Sequence, residues 1–374
     1  MTNRSQKLFQ LGQSLWYDNI QRRLLENGEL AGMIERGEIY GVTSNPSIFN
    51  NAIAKSKDYD DDLIPLVEAG MSPMEAFEVL AVEDIRAAAD LFKTLYEETD
   101  GGDGYVSLEV NPDLAHDTEA TFEEASRLWD LVDRPNLMIK IPATKAGLPA
   151  VQQSISAGIN VNVTLIFSID RYVEVMEAYL VGLEARLAAG GQINDIASVA
   201  SFFISRIDSK VDGWLDEVAS RGGEYAELAN SLKGKIAIAN AKFAFQRFKD
   251  VFETPRFEKL RKAGGNLQRP LWASTSTKNP NYPDVLYVDQ LIGPNTVNTV
   301  PPETLSAFLD HGVETLTLED GIEDANRVLE TFAQLGLSLD NATQELEDEG
   351  VQKFSDAFAE LLAGVQKKME QLAK

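Results

Sequence analysis

The chain has 374 residues, 44% hydrophobic and 25% charged, a balance that supports a folded globular protein with a sizeable core. Its formal charge of −25 leaves no basic footprint for DNA or RNA, although a few local cations can still govern a cleft. There is no cysteine and there are only two histidines, His116 and His311, so cysteine chemistry is excluded, most metal sites and Ser–His mechanisms are poorly supported, and neither metal nor cofactor is expected.

A short helix is predicted around Gln6–Leu11, ahead of the first strand and placed to plug one end of the fold. Short apolar strands follow at Leu15–Ile20, Gly41–Ser44, Tyr105–Val110, Leu137–Ile141, Val161–Phe167, Ser198–Ile204, Pro270–Ser274 and Thr296–Val300. Several are apolar throughout, as strands buried on both faces should be. Amphipathic helices fall between them. Glu75–Thr94 sets Ala76, Phe77, Leu80, Leu91 and Phe92 among charges. Ile169–Ala188 carries Tyr172, Met176, Tyr179 and Leu183 at helical spacing, and Lys235–Val251 is rich in Ala and Phe.

Such alternation means βα units and a parallel sheet. Eight units favour the α/β class as a closed (β/α)8 TIM barrel, with additional N- and C-terminal helices, over an open doubly wound sheet. Gly101-Gly-Asp-Gly104 lies in a turn before a strand, so it does not read as a phosphate loop. After Asn341 the chain is strongly acidic, and Phe354, Phe358, Leu361 and Val365 then mark one face of a terminal helix. The whole chain, 1–374, is read as one barrel domain with 341–374 packed on it; self-association through that helix, giving a homo-oligomer, is the alternative. No apolar run approaches the roughly 20 residues that span a membrane, and the N-terminal residues lack the apolar core of a signal peptide. A cytoplasmic protein without membrane partners is expected.

Asn136-Leu-Met-Ile-Lys-Ile-Pro-Ala-Thr144 is the most informative stretch. It reads as an apolar strand around a single lysine, Lys140, stopped by a proline. A lysine buried in such a run bears the cost of desolvation unless it is neutral or paired. A neutral amine is a nucleophile toward carbonyls, the chemistry of Schiff-base enzymes. Most lysines beside apolar strands instead snorkel to water, so the neighbours decide.

In a closed barrel the C-terminal strand ends line one mouth, where chemistry sits. Strand one ends with Asp18, strand two with Thr43-Ser44-Asn45-Pro46 and strand three with Glu109. Strand four carries Lys140, strand five Asn162 and Thr164, strand six Ser201 to Arg206, and strand seven leads to Ser274 and Lys278. Singly, Asp18 reads as a loop cap, Asn45 as a turn residue before proline and Thr164 as ordinary strand filler. Together they set carboxylates, amides, hydroxyls and cations around one pocket.

Several further motifs stand in order along the chain: Leu15-Trp-Tyr-Asp-Asn-Ile20, Gly41-Val-Thr-Ser-Asn-Pro-Ser-Ile-Phe49, Asp84-Ile-Arg-Ala-Ala-Ala-Asp90, Ser107-Leu-Glu-Val-Asn-Pro112 and Asn160-Val-Asn-Val-Thr-Leu-Ile-Phe-Ser168. With the Lys140 segment, they make the chain resemble the transaldolases, class I aldolases of the pentose phosphate pathway, over essentially its whole length. The resemblance implies a (β/α)8 barrel that transfers a dihydroxyacetone unit between sugar phosphates, from sedoheptulose 7-phosphate to glyceraldehyde 3-phosphate. It implies Lys140 as the Schiff-base nucleophile and Asp18 as the acid–base group at the cleaved bond. Glu109 would deliver a proton to the departing hydroxyl through a water also held by Thr164. Asn45, Asn162 and Ser201 match positions that hold the hydroxyls of the three-carbon unit, and Arg206 matches a phosphate anchor.

After strand seven the chain departs from the better-known transaldolases. There a serine is followed two residues later by an arginine; here Ser274-Thr-Ser-Thr-Lys278 places serine at the arginine's position and lysine two further on. Lys278 would meet phosphate as a point charge rather than a fork. A fructose 6-phosphate aldolase, releasing free dihydroxyacetone to water, is the nearest rival. Such enzymes resemble shorter chains with glutamine at the position of Glu109 and tyrosine at that of Phe203, so Glu109, Phe203 and the length favour transfer. A non-catalytic sugar-phosphate-binding barrel is the rival of another class, and it has no need of a buried nucleophile.

Overall fold

The structure, a computed structural model, describes residues 2–373. Eight strands form a closed parallel barrel: β1 (Gln13–Tyr17), β2 (Gly41–Val42), β3 (Tyr105–Glu109), β4 (Leu137–Pro142), β5 (Val161–Ile166), β6 (Ser198–Phe203), β7 (Gln268–Ala273) and β8 (Thr296–Val300). They follow in chain order around the barrel, and β8 closes on β1 with Gln13–Tyr17 in register with Thr296–Val300. The predicted barrel is therefore the observed one.

Strand limits differ from the sequence reading where buried polar side chains hide a strand's start. β1 begins at Gln13 rather than Leu15: the Gln13 amide nitrogen is held inside, donating to Leu291 O at 2.7 Å and Thr296 Oγ1 at 2.9 Å. Likewise β7 begins at Gln268, whose amide donates to Ser198 Oγ at 2.9 Å. β2 is shorter than predicted, because the chain turns at Asn45 into a helix, Pro46–Phe49. Within β2 only glycine fits at position 41, since a Cβ there would lie 2.7 Å from the Trp16 ring.

Among the helices, Ile169–Ala188 has its predicted limits, and the Ser168 side chain caps it by accepting from Arg171 N. The segment predicted as Glu75–Thr94 divides into Pro73–Leu91, opened by a Ser72/Glu75 capping box, and Lys93–Glu98. Lys235–Val251 appears as Ile236–Phe252, and the N-terminal helix as Arg4–Gln10, where Phe9 stacks on Tyr40 with centroids 4.2 Å apart. Since Tyr40 directly precedes β2, this helix lies at the N-terminal end of the barrel.

The strands alternate as pleating requires. On β6, Phe202 meets Tyr172 and Trp272 edge-on, at 5.9 and 6.2 Å between centroids, while Ser201 bonds across to β5. The acidic segment and the terminal apolar face together form a single helix, Leu339–Leu372. Its buried residues include Leu346, Phe354, Phe358, Leu361, Val365 and Met369. No helix among the described residues is long and apolar enough to cross a membrane.

Candidate active site

Lys140 lies in the middle of β4 between Ile139 and Ile141, and only 6% of its surface is exposed. Parallel register places it beside Glu109 on β3 and Asn162 on β5. Its Nζ donates to Ser44 O at 2.9 Å and lies 3.5 Å from Glu109 Oε2. Of the two ways to keep a lysine inside an apolar wall, this geometry supplies the paired one. Burial pushes the Glu109 carboxyl above its ordinary range, opposed chiefly by Lys140.

Asp18 leaves β1 at the same barrel end and accepts from Thr43 Oγ1 at 2.6 Å. Burial raises its carboxyl too, and Lys140, Thr43, Lys278 and Arg206 pull it back. Thr43 also shares a 2.6 Å hydrogen bond with Thr299 on β8, which fixes the hydroxyl that faces Asp18.

Thr164 is sealed from solvent, yet its Oγ1 has no hydrogen-bond partner among the described residues. Beside it Leu165 takes φ +62°, in the left-handed region, and the β5–β6 register slips between Val163 and Ile166. This bulge re-aims the strand end. Asn162 Nδ2 donates to Ser107 Oγ at 3.1 Å and its Oδ1 accepts from Ser201 Oγ at 2.7 Å, a chain linking β3, β5 and β6. Asn45 is both the N-cap of the Pro46–Phe49 helix, accepting from Ile48 N at 3.0 Å, and a wall of the pocket.

The pocket has a volume of about 240 Å³ and brings together Asp18, Asn45, Lys140, Thr164, Ser201, Phe203, Arg206, Ser274 and Lys278. Glu109 and Asn162 are not part of its lining; Glu109 stands behind Lys140 and Asn162 is engaged within the wall. Ser274, at φ +54°, lies 3.0 Å from Ser205 Oγ through its own hydroxyl. Lys278 donates to Ser276 Oγ at 2.6 Å. Desolvation lowers the Arg206 guanidinium, with Asp18 and Glu109 acting in the other direction. Thus three cations face one small cavity in a chain of net charge −25. A larger hollow of about 540 Å³ between the Ile236–Phe252 and Ile322–Gln334 helices has no comparable convergence, and its inner lysine, Lys242, is held by the carbonyls of Thr317 and Asp320.

Sequence reasoning missed two residues of the pocket that matter here. Thr299 closes strand eight at the same barrel end, and the rule applied to the other strand ends would have found it. Phe354 reaches the pocket from the terminal helix, and no local signal separates it from the other apolar residues on that face. His311, by contrast, lies on the surface between Asp284 and Asp310.

Comparison with known proteins places the chain in a family. The family model described as Transaldolase/Fructose-6-phosphate aldolase matches residues 15–365. A transaldolase of Trichodesmium erythraeum is 48% identical, covering 100% of this chain and 99% of that protein. Transaldolase 1 of Streptomyces coelicolor is 49% identical over 98% of this chain and 94% of its own, and a Thermobifida fusca transaldolase is 49% identical over 96% of each. The chain belongs to the transaldolase/fructose-6-phosphate aldolase family, on its transaldolase side, and so among enzymes that transfer parts of sugar phosphates.

Proposed function

We propose that this transaldolase works through an imine on Lys140, moving a dihydroxyacetone unit from sedoheptulose 7-phosphate to glyceraldehyde 3-phosphate in the cytoplasm. One observation carries the reading: the only lysine in the barrel wall of β4 has a carboxylate 3.5 Å from its nitrogen and opens onto a pocket holding Arg206 and Lys278.

The chemistry follows from those positions. The Lys140 ammonium gives up a proton toward Glu109 and the free amine attacks the ketone carbon. Glu109 returns that proton to the oxygen of the adduct, and a second proton from nitrogen completes the water that leaves. Thr164, with its unpaired hydroxyl, is suited to hold the leaving oxygen or a bridging water. The protonated imine then draws electrons from the adjacent carbon–carbon bond. Asp18 takes the proton of the hydroxyl on the departing carbon, so an aldose phosphate leaves and a three-carbon enamine stays on Lys140. An incoming aldose phosphate reverses these steps, and hydrolysis frees the lysine.

Asn45 and Ser201 orient hydroxyls without adding charge beside the imine, and Asn162 supports Ser201 from within the wall. Phe203 gives the pocket an apolar side, while Arg206 and Lys278 serve the phosphate and Ser274 flanks them. The segment from Asn341 onward is read as part of the same barrel domain, and the place of Phe354 in the pocket lining supports this.

Borohydride reduction in the presence of fructose 6-phosphate, followed by peptide mass spectrometry, tests the assignment. A reduced three-carbon adduct on Lys140, lost together with transfer in a folded Lys140→Ala variant, is expected. An adduct on another residue, or transfer retained without Lys140, would overturn it. Free dihydroxyacetone released as fast as it is transferred would favour the aldolase instead.

A further inference from the structure

We infer that Phe354, on the C-terminal helix, is a positioning residue that holds Arg206 ready for the substrate phosphate; the inference rests on the phosphate-anchor reading of Arg206 proposed above. The Arg206 guanidinium carbon lies 5.0 Å from the Phe203 ring centroid and 5.8 Å from that of Phe354. It forms no ion pair among the described residues, and its buried Nη1 has no hydrogen-bond partner there. An arginine anchored by a carboxylate spends its N–H groups on that partner. One held by aromatic faces is restrained by its charge alone and keeps its N–H groups for a ligand. Phe203 comes from the barrel, but one face cannot keep a long side chain from swinging away. Phe354 supplies the second.

The position of Phe354 is itself determined. One turn earlier on the same helix, Gly350 packs so closely that a Cβ there would lie 3.1 Å from Leu165 Cδ2 and 3.5 Å from the Phe167 ring. Phe167 in turn contacts Phe203, with centroids 5.2 Å apart. Lys210, one turn beyond Arg206 on the Ser205–Ser220 helix, pairs with Glu345 at 2.8 Å and Glu349 at 2.6 Å. The helix that carries Arg206 is thus tied directly to the helix that carries Phe354. The same ring stands 5.9 Å from Lys140 Nζ, so a single side chain borders both the nucleophile and the anchor.

The test compares Phe354→Leu, which removes the aromatic face, with Phe354→Tyr, which keeps it. Three readouts are taken: KM and kcat for fructose 6-phosphate, competitive inhibition by inorganic phosphate, and borohydride trapping of phosphate-free dihydroxyacetone on Lys140. In Phe354→Leu, KM and the phosphate inhibition constant should each rise about ten-fold, the effect of losing one desolvated cation–π contact. Its kcat should stay within about two-fold, as when an interaction common to ground and transition states is lost. Trapping of dihydroxyacetone should be unchanged, and Phe354→Tyr should behave as the parent protein. If the leucine variant does not fold, Phe354→Met carries the same expectations. Unchanged phosphate inhibition would overturn the inference, as would a parallel fall in kcat and in trapping of dihydroxyacetone, which marks general damage to the barrel. A parent protein whose phosphate inhibition depends on Phe354 but that traps no ketose would refute the proposed function and leave the inference standing.

Discussion

Lys140 and Glu109 stand side by side in register on β4 and β3, with Nζ and Oε2 3.5 Å apart and both side chains almost closed to solvent. Breaking such a buried pair leaves an uncompensated charge, whereas keeping it stores an amine next to a proton acceptor. The same pair therefore keeps a lysine inside an apolar wall and, in the proposed mechanism, would carry the proton that imine formation moves.

Asp18 should separate the two halves of the reaction. Asp18→Asn keeps the side chain's shape but removes the base, so the imine with fructose 6-phosphate still forms. Its borohydride-reduced adduct should carry all six carbons rather than three, and transfer should fall about 10²–10⁴-fold. A three-carbon adduct at the parent yield would remove Asp18 from the cleavage step.

Lys278 should tune the pH profile. Burial raises the Asp18 carboxyl, and Lys278 is one of the groups that oppose the rise. Asp18 must be ionised to act as base, so activity is lost as pH falls through its pKa. In Lys278→Gln that opposition is gone, the Asp18 pKa rises further, and the acid limb of kcat/KM moves to higher pH. A limb that stays in place, measured with buffered fructose 6-phosphate, would show that Lys278 does not act on Asp18.

Asp208 should make stability pH-dependent away from the pocket. It is 1% exposed, and burial raises its carboxyl to about 7, against the hydrogen bond from Ala237 N. Its folded pKa thus exceeds the unfolded value, so the native state binds the extra proton and stability declines as pH rises from about 4 to about 7. Asp208→Asn cannot ionise. Relative to the parent it should gain roughly 2–4 kcal/mol between pH 4 and pH 8, read from urea midpoints at each pH. A difference that does not change with pH would mean that Asp208 does not titrate in this window.

Gly364 should report on how the terminal helix docks. A Cβ at this position would lie 2.5 Å from Ala54 Cβ, on the one-turn π-helix Asn50–Ala54. Alanine improves helix propensity by about 1 kcal/mol, but the overpacking costs roughly 1–3 kcal/mol. Gly364→Ala should therefore lower the thermal midpoint despite the better helix former, and a rise would show that the helix can move away freely.

Much of the candidate site was legible because its members fall at strand ends. Lys140 stood out as one charge in an apolar strand, and Asp18, Glu109, Thr164 and Arg206 followed from the rule that barrel strands end at one mouth. The strand starts at Gln13 and Gln268 were illegible, because a glutamine whose amide nitrogen is bonded inside a barrel looks like a surface residue in sequence. Nor did spacing reveal that Asn162 would turn into the wall while Ser201 lines the pocket, since both alternate correctly for the interior.

By itself, then, the sequence determined the eight-fold alternation, the order of strands and the chemistry available at their ends. Those depend on periodicity and side-chain type, both written among near neighbours. Only the tertiary structure decided that Leu165 takes a left-handed turn beside Thr164, and that Phe354 from the last helix meets Arg206 after strand six. Such contacts arise when barrel closure and helix docking bring distant residues together, and their energies depend on distances that no local pattern encodes.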